Sequence, residues 1–150
     1  MSKRTATLDC KAFSYDSEFD CYEGKLSVGG ISYEGYVKSW DGNMDKAWKN
    51  ATRIFDFIAN HFDRIEKAVR EDFIPTVRHW AEEQQEEGYD DRRLGDLAIK
   101  AMKRSKPVRF RICGDMISDV VYAGPRFLLG HRVNVKFDED GRLLAIGMEG

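Results

Sequence analysis

An α+β fold, an antiparallel sheet with two to three central helices packed on one face, is predicted for this 150-residue chain by three observations. Apolar and polar residues alternate near both ends, apolar residues recur at steps of three and four through the middle, and glycine turns punctuate the alternating parts. One domain spanning residues 1–150 is expected, since no repeat, low-complexity linker or Pro/Gly/Ser-rich boundary divides the chain. That length buries roughly 70% of the unfolded surface, so a core forms without metal or disulfide.

Ala12-Phe13-Ser14-Tyr15 reads as a short strand. Leu26, Val28, Ile31 and Tyr33 then alternate with Lys25, Ser27, Ser32 and Glu34 around Gly29-Gly30, the residue pair a type I′ hairpin favours. That turn sets Val28 against Ile31 and leaves one face apolar and the other polar. Asp41-Gly42-Asn43 ends the strands and supplies an N-cap, with Asp45 where the helix dipole favours a negative charge.

From Met44 through Ala47, Trp48, Ala51, Ile54, Phe55, Ile58, Phe62, Ile65, Val69, Phe73 and Val77 to Trp80, one apolar stripe continues to a stop at Gly88. As a single rod, residues 43–87 would extend about 65 Å, longer than a compact domain of this size allows. Two helices are therefore expected, with Asn60-His61 able to end one and cap the next, and a kink near Pro75. A third helix starts near Asp91, turns Leu94, Leu97, Ala98 and Ala101 inward, and ends at Lys100, Lys103 and Arg104.

Beyond Pro107 the period returns to two: Val108, Phe110 and Ile112 alternate with Arg109, Arg111 and Cys113, and Ile117 to Tyr122 forms the next strand. In the last hairpin, Val133, Val135 and Phe137 precede Asp140-Gly141 and Leu144, Ile146 and Met148 follow it, so these six side chains are expected on a common, inward face. Arg109, Arg111, Arg132, Asn134 and Lys136 then point outward and make the open sheet face cationic.

Lysine plus arginine (24) nearly balances aspartate plus glutamate (26), so any preference for nucleic acid or anionic lipid must be local. Cys10, Cys21 and Cys113 are odd in number and lack CxxC spacing, which suits reduced cytoplasm. Neither an export signal nor a membrane span is expected, as no apolar run is long enough.

Chemistry is weakly motivated. His61 and His79 stand about 27 Å apart on a straight helix, and His79 with Glu82 and Glu83 lacks a second nitrogen or sulfur ligand, so no metal is expected. No nucleophile elbow, phosphate loop or dinucleotide fingerprint occurs, and neither catalytic residues nor a cofactor are expected. Asp115 and Asp119, flanking an apolar strand start, offer a conceivable acid/base couple, but such a pair acts only in a cleft that gives its members opposed environments. His131, whose parity matches Val133 and Val135, reads as a buried, hydrogen-bonded histidine before it reads as a catalytic one. Two charged features remain. One is the acidic run with Glu82, Glu83, Glu86 and Glu87; the other is the outward set Arg109, Arg111, Arg132 and Lys136.

Phe13-Ser14-Tyr15-Asp16, Phe19, Tyr22-Glu23-Gly24, the hairpin, the helical middle, and Leu129-Gly130-His131-Arg132-Val133 with the Gly141 turn together resemble the bacterial domain-of-unknown-function family 2262. The resemblance covers most of residues 10–150, with Cys21 where a tryptophan is expected before the Tyr-Glu-Gly step. It implies an uncharacterised α+β protein with no known catalytic residues, similar in character to immunity proteins encoded beside bacterial toxins. The leading expectation is a non-enzymatic factor that binds and masks another protein, a toxin or a regulated enzyme, through the acidic helix ends or the basic sheet face. Two alternatives stand beside it: nucleic-acid association through Lys103, Arg104, Lys106, Arg109 and Arg111, and a small hydrolase centred on His131.

Overall fold

The computed structural model describes residues 12–84, 90–104 and 108–150. Seven strands form one sheet in sequence order: β1 (Phe13–Asp16), β2 (Cys21–Val28), β3 (Ile31–Lys38), β4 (Val108–Cys113), β5 (Ser118–Tyr122), β6 (Arg132–Phe137) and β7 (Leu143–Glu149). Between β3 and β4 the chain makes its helical excursion: α1 (Met44–Ala68), a π-helical turn (Val69–Phe73), α2 (Ile74–Glu83) and α3 (Asp91–Met102).

The expected turns form where their residues demand. Gly29 and Gly30 both adopt positive φ, 59° and 80°, and Val28 faces Ile31. Asn43 caps α1 by accepting from the Lys46 amide, and Asp90 caps α3 by accepting from the Arg93 amide. The helical stripe is broken at His61, whose φ of −134° and ψ of 31° interrupt α1, and widens into a π-turn just before Pro75. Pro75 follows the π-turn directly in continuous helical geometry and has no amide to offer the carbonyl one turn back, which accounts for the irregular turn there. The Gly88 stop lies outside the described residues.

Two features depart from expectation. All strand pairings are antiparallel but one: β3 and β4 run parallel, because the helical crossover returns the chain to the end of the sheet where β3 began. The second concerns the last hairpin, where Phe137 pairs with Leu143 through a register irregularity at Lys136 and Phe137. Val135 and Val133 still face Ile146 and Met148, yet Leu144 is 52% exposed and Met148 37%. The register irregularity seats Leu143, and not Leu144, opposite Phe137, so Leu143 and Ile146 pack against the core while Leu144 and Met148 stay exposed.

One hydrophobic cluster joins sheet and helices. Phe55 of α1 meets Tyr33 and Phe110 edge to face, and Trp48 sits against Phe13 and Tyr22. The Tyr33 and Tyr122 hydroxyls satisfy each other at 3.0 Å in this interior. Asn50 of α1 donates to the carbonyls of Cys113 and Glu139, pinning the helix to the ends of β4 and β6. Among the described residues, no helix is long and apolar enough to cross a membrane.

Candidate functional site: the concave face of the sheet

The side chains that alternate away from the core form the sheet's open face. Register sets Lys25 beside Glu34, Glu34 beside Arg109, Arg109 beside Val121 and Val121 beside Asn134. A parallel row runs from Glu23 through Tyr36, Arg111 and Asp119 to Lys136. This face holds a concavity of about 980 Å³ lined by Lys25, Glu34, Tyr36, Arg109, Arg111, Arg132 and Glu149 among others.

Backbone forms part of its floor. Gly24, Gly35 and Phe110 stand side by side on β2, β3 and β4 and line the hollow. A Cβ on Gly35 would fall 1.9 Å from the Phe110 carbonyl oxygen, so β3 and β4 approach more closely than any other residue at that position permits. Curling is also visible in one ion pair. Three strands and four residues separate Arg111 from Glu149, roughly 20 Å between Cα atoms on a flat sheet. Their charged groups nonetheless meet at 2.7 Å.

Arg111 is thus held in place. Its guanidinium donates to both oxygens of Asp119, at 2.5 and 2.7 Å, and to Glu149, and these hydrogen bonds raise its pKa further above the ordinary arginine value. Asn134 also donates to Asp119, while its own Oδ1 is buried without a hydrogen-bond partner among the described residues. Tyr36 lies beside Arg111, and loss of solvent raises its hydroxyl pKa.

Arg109 and Arg132 are different: both are exposed, and neither has an ion pair or side-chain hydrogen bond among the described residues. They line the hollow from β4 and from the start of β6. The outward set Arg109, Arg111, Arg132, Asn134 and Lys136 does share one face, but the uniformly cationic surface expected there is corrected by Glu23, Glu34, Asp119 and Glu149 interleaved among the cations. Sequence alone missed Lys25, Glu34 and Tyr36, since nothing local to β2 or β3 signals that β4 will pair beside them.

Other candidates fall elsewhere. Glu82 and Glu83 are exposed at the end of α2, in the helical layer, so the acidic run and the basic sheet face are not one surface; Glu86 and Glu87 lie outside the described residues. Lys103 pairs with Glu66 of α1 and sits over Phe62, which separates it from Arg109 and Arg111; Lys106 lies outside the described residues. His131 is half-buried, contrary to the expected core position, and packs edge to face on Trp80 with ring centroids 5.0 Å apart. Asp115 accepts from the Trp40 amide and Asp119 from Arg111, so these carboxylates serve separate structural contacts. Cys21 and Cys113 are buried thiols, with desolvation raising the pKa of Cys113; Cys10 lies outside the described residues. Among the described residues, no three His, Cys, Asp or Glu side chains converge as metal ligands. No family model matches the chain, and neither a curated protein nor a solved structure matches it.

Proposed function

We propose that the protein is a non-enzymatic binding factor that masks part of another protein, a toxin or a regulated enzyme, by holding an acidic segment of it in the concave sheet face. The observation carrying this reading is the pair Arg109 and Arg132, both exposed and without an ion pair among the described residues, lining a hollow in which Lys25 meets Glu34 and Arg111 meets Glu149. Free guanidiniums beside a partly backbone floor suit carboxylates on an extended polypeptide. Acidic side chains alternate with the cations in this hollow, which suits separate carboxylates set against Arg109 and Arg132 better than the unbroken run of charge on a phosphate backbone, so protein is favoured over nucleic acid. Reduced cytoplasm suits the buried, unbridged thiols of Cys21 and Cys113, and an immunity-like role requires no chemistry from the factor itself.

Affinity capture from the source cells, with and without nuclease, tests the reading. One protein should co-purify stoichiometrically, survive nuclease and release with salt. Arg109→Glu with Arg132→Glu should weaken that capture by roughly 100-fold, each reversed charge removing about 1–2 kcal/mol, while melting temperature holds. Glu82→Lys with Glu83→Lys, in the other layer, should leave it intact. Equal capture by the wild type and the arginine double variant, or a partner lost on nuclease treatment, overturns the proposal.

A further inference from the structure

Half of the large apolar side chains that stay exposed among the described residues stand at one end of the sheet. β1 and β3 run toward that end, and β4 follows β3 in parallel, while β2 and β5 lead away from it. The β1–β2 turn, the stretch leaving β3 and the β4–β5 turn therefore share it. These three connections carry Phe19, Trp40, Met116 and Ile117, each between 53% and 65% exposed. Isolated apolar residues on a surface need no explanation, but four from separate connections at one end do.

The connections are tied to one another. Lys38 Nζ donates to the Phe19 carbonyl at 2.7 Å and lies 3.8 Å from the centre of the Trp40 ring. The Trp40 amide donates to Asp115 at 3.2 Å, and the Gly114 amide to the Lys38 carbonyl at 3.0 Å. Turn chemistry accounts for polar residues here: Asp16 accepts from the Glu18 and Phe19 amides, and Asp41 from the Asn43 amide. It asks for none of the four apolar side chains. A braced apolar surface also loses little freedom when something docks on it.

We propose that this end of the sheet docks a basic segment of a partner protein, whose apolar side chains seat on Phe19, Trp40, Met116 and Ile117 while its lysines and arginines meet the carboxylates around them. Charge selects the occupant. The same three connections supply Asp16, Glu18, Asp20, Asp41 and Asp115, and their one cation, Lys38, is held by the Phe19 carbonyl and the Trp40 ring. An anionic bilayer would be repelled by that rim. A second copy of this chain, docked through the same end, would set carboxylates against carboxylates. A polypeptide that carries positive charge beside apolar anchors satisfies both parts of the surface. This inference does not depend on what the concave face binds, and its occupant is of the opposite sign.

The probe is an amphipathic leucine/lysine peptide of about 14 residues, with leucine/glutamate and serine/lysine peptides of the same pattern as controls. NMR titration of the isotope-labelled full chain reads affinity and place together. The leucine/lysine peptide should bind with a dissociation constant below about 100 μM and shift the amides of Phe19, Trp40, Met116 and Ile117 together with the Trp40 indole. Either control should bind roughly 10-fold more weakly or worse. Met116→Ser with Ile117→Ser, which leaves Lys38 and its contacts in place, should weaken binding by roughly 10-fold while the melting temperature holds. Glu18→Lys should weaken it by roughly 5-fold. Arg109→Glu with Arg132→Glu, in the concave face, should leave the affinity within about 2-fold, which separates this surface from that one. Shifts that map elsewhere, a leucine/glutamate peptide that binds equally well, or an affinity unmoved by the serine pair overturns the proposal. So does stronger binding to phosphatidylserine vesicles than to the peptide, or self-association of the wild type that the serine pair abolishes.

Discussion

The two faces of the sheet obey different rules although the same strands build both. On the helix side, Tyr33, Phe110, Ile112, Val120, Val133 and Val135 are all at most 1% exposed, and their partners are whatever apolar surface the helices bring. Hydrophobic burial is non-directional, so alternation alone suffices to place such residues. On the other side, Arg109, Arg111 and Arg132 share orientation but not circumstance. Arg111 is clamped by two carboxylates while its neighbours stay free. Charged contacts depend on which strand lies alongside and at what register, and those are settled by the whole topology.

Gly35 is where the two faces come closest to sharing one constraint, and breaking it should have the largest effect. With the Phe110 carbonyl oxygen 1.9 Å from where a Cβ would stand, Gly35→Ala must push β3 off β4, distorting the core row and flattening the hollow together. We expect a loss on the order of 3–5 kcal/mol in chemical denaturation, at the upper end for single substitutions. Gly147→Ala on β7 is the control. Its Cβ would meet only the flexible end of Lys136 at 3.5 Å, so stability should hold or rise by about 0.5–1 kcal/mol. If the two substitutions cost the same, close backbone approach is not what shapes the concave face.

Legibility in the sequence divides along the same line. Gly29-Gly30 fixes its hairpin because two positive φ values in succession leave few alternatives, and the register it dictates is the one observed. The break at His61 and the irregularity before Pro75 follow from excessive rod length and a missing amide, both local facts. The outward parity of Arg109, Arg111, Arg132 and Lys136 is equally local. Hidden from sequence were the parallel β3 to β4 pairing, which brings Glu34 and Tyr36 into the site, and the reach of Glu149 to Arg111. Leu144 misled for a related reason: the slip that seats Leu143 opposite Phe137 belongs to the way β6 and β7 meet and not to the alternation along either strand.

High pH should act first on the interior face. Burial pushes the Tyr33 hydroxyl up to about 12 and the Tyr122 hydroxyl well above the ordinary value of 10.0, the two sharing a hydrogen bond in the core. A group whose folded pKa is raised contributes stability that is fully present below the unfolded pKa and is lost as pH rises through the folded one. Stability should therefore fall between pH 10.0 and about 12 as the unfolded state gains tyrosinate and the folded state resists it. At about 1.4 kcal/mol for each pKa unit, Tyr33 accounts for on the order of 3 kcal/mol. Tyr33→Phe with Tyr122→Phe removes both hydroxyls without leaving either unpaired, so it should be nearly neutral at pH 7 yet shed most of this alkaline slope. Denaturation midpoints measured across that range decide the matter, and an unchanged slope in the double variant would place its origin elsewhere.

A smaller effect should come from the open face. Removing the Arg111 guanidinium leaves Asp119, whose side chain is only 16% exposed, with Asn134 as its remaining donor, and leaves Glu149 without a partner. Arg111→Met should cost about 1–2 kcal/mol, mostly the penalty of a poorly solvated carboxylate and not the loss of attraction itself. The distinction is measurable in a double-mutant cycle. Adding Asp119→Leu removes the stranded charge, so the double variant should recover part of the loss and be more stable than Arg111→Met alone. Equal or additive losses would mean that the cross-sheet clamp contributes by its own attraction. In that case the open face would be held together by its charges as firmly as the other face is by its apolar packing, and the contrast between them would fail.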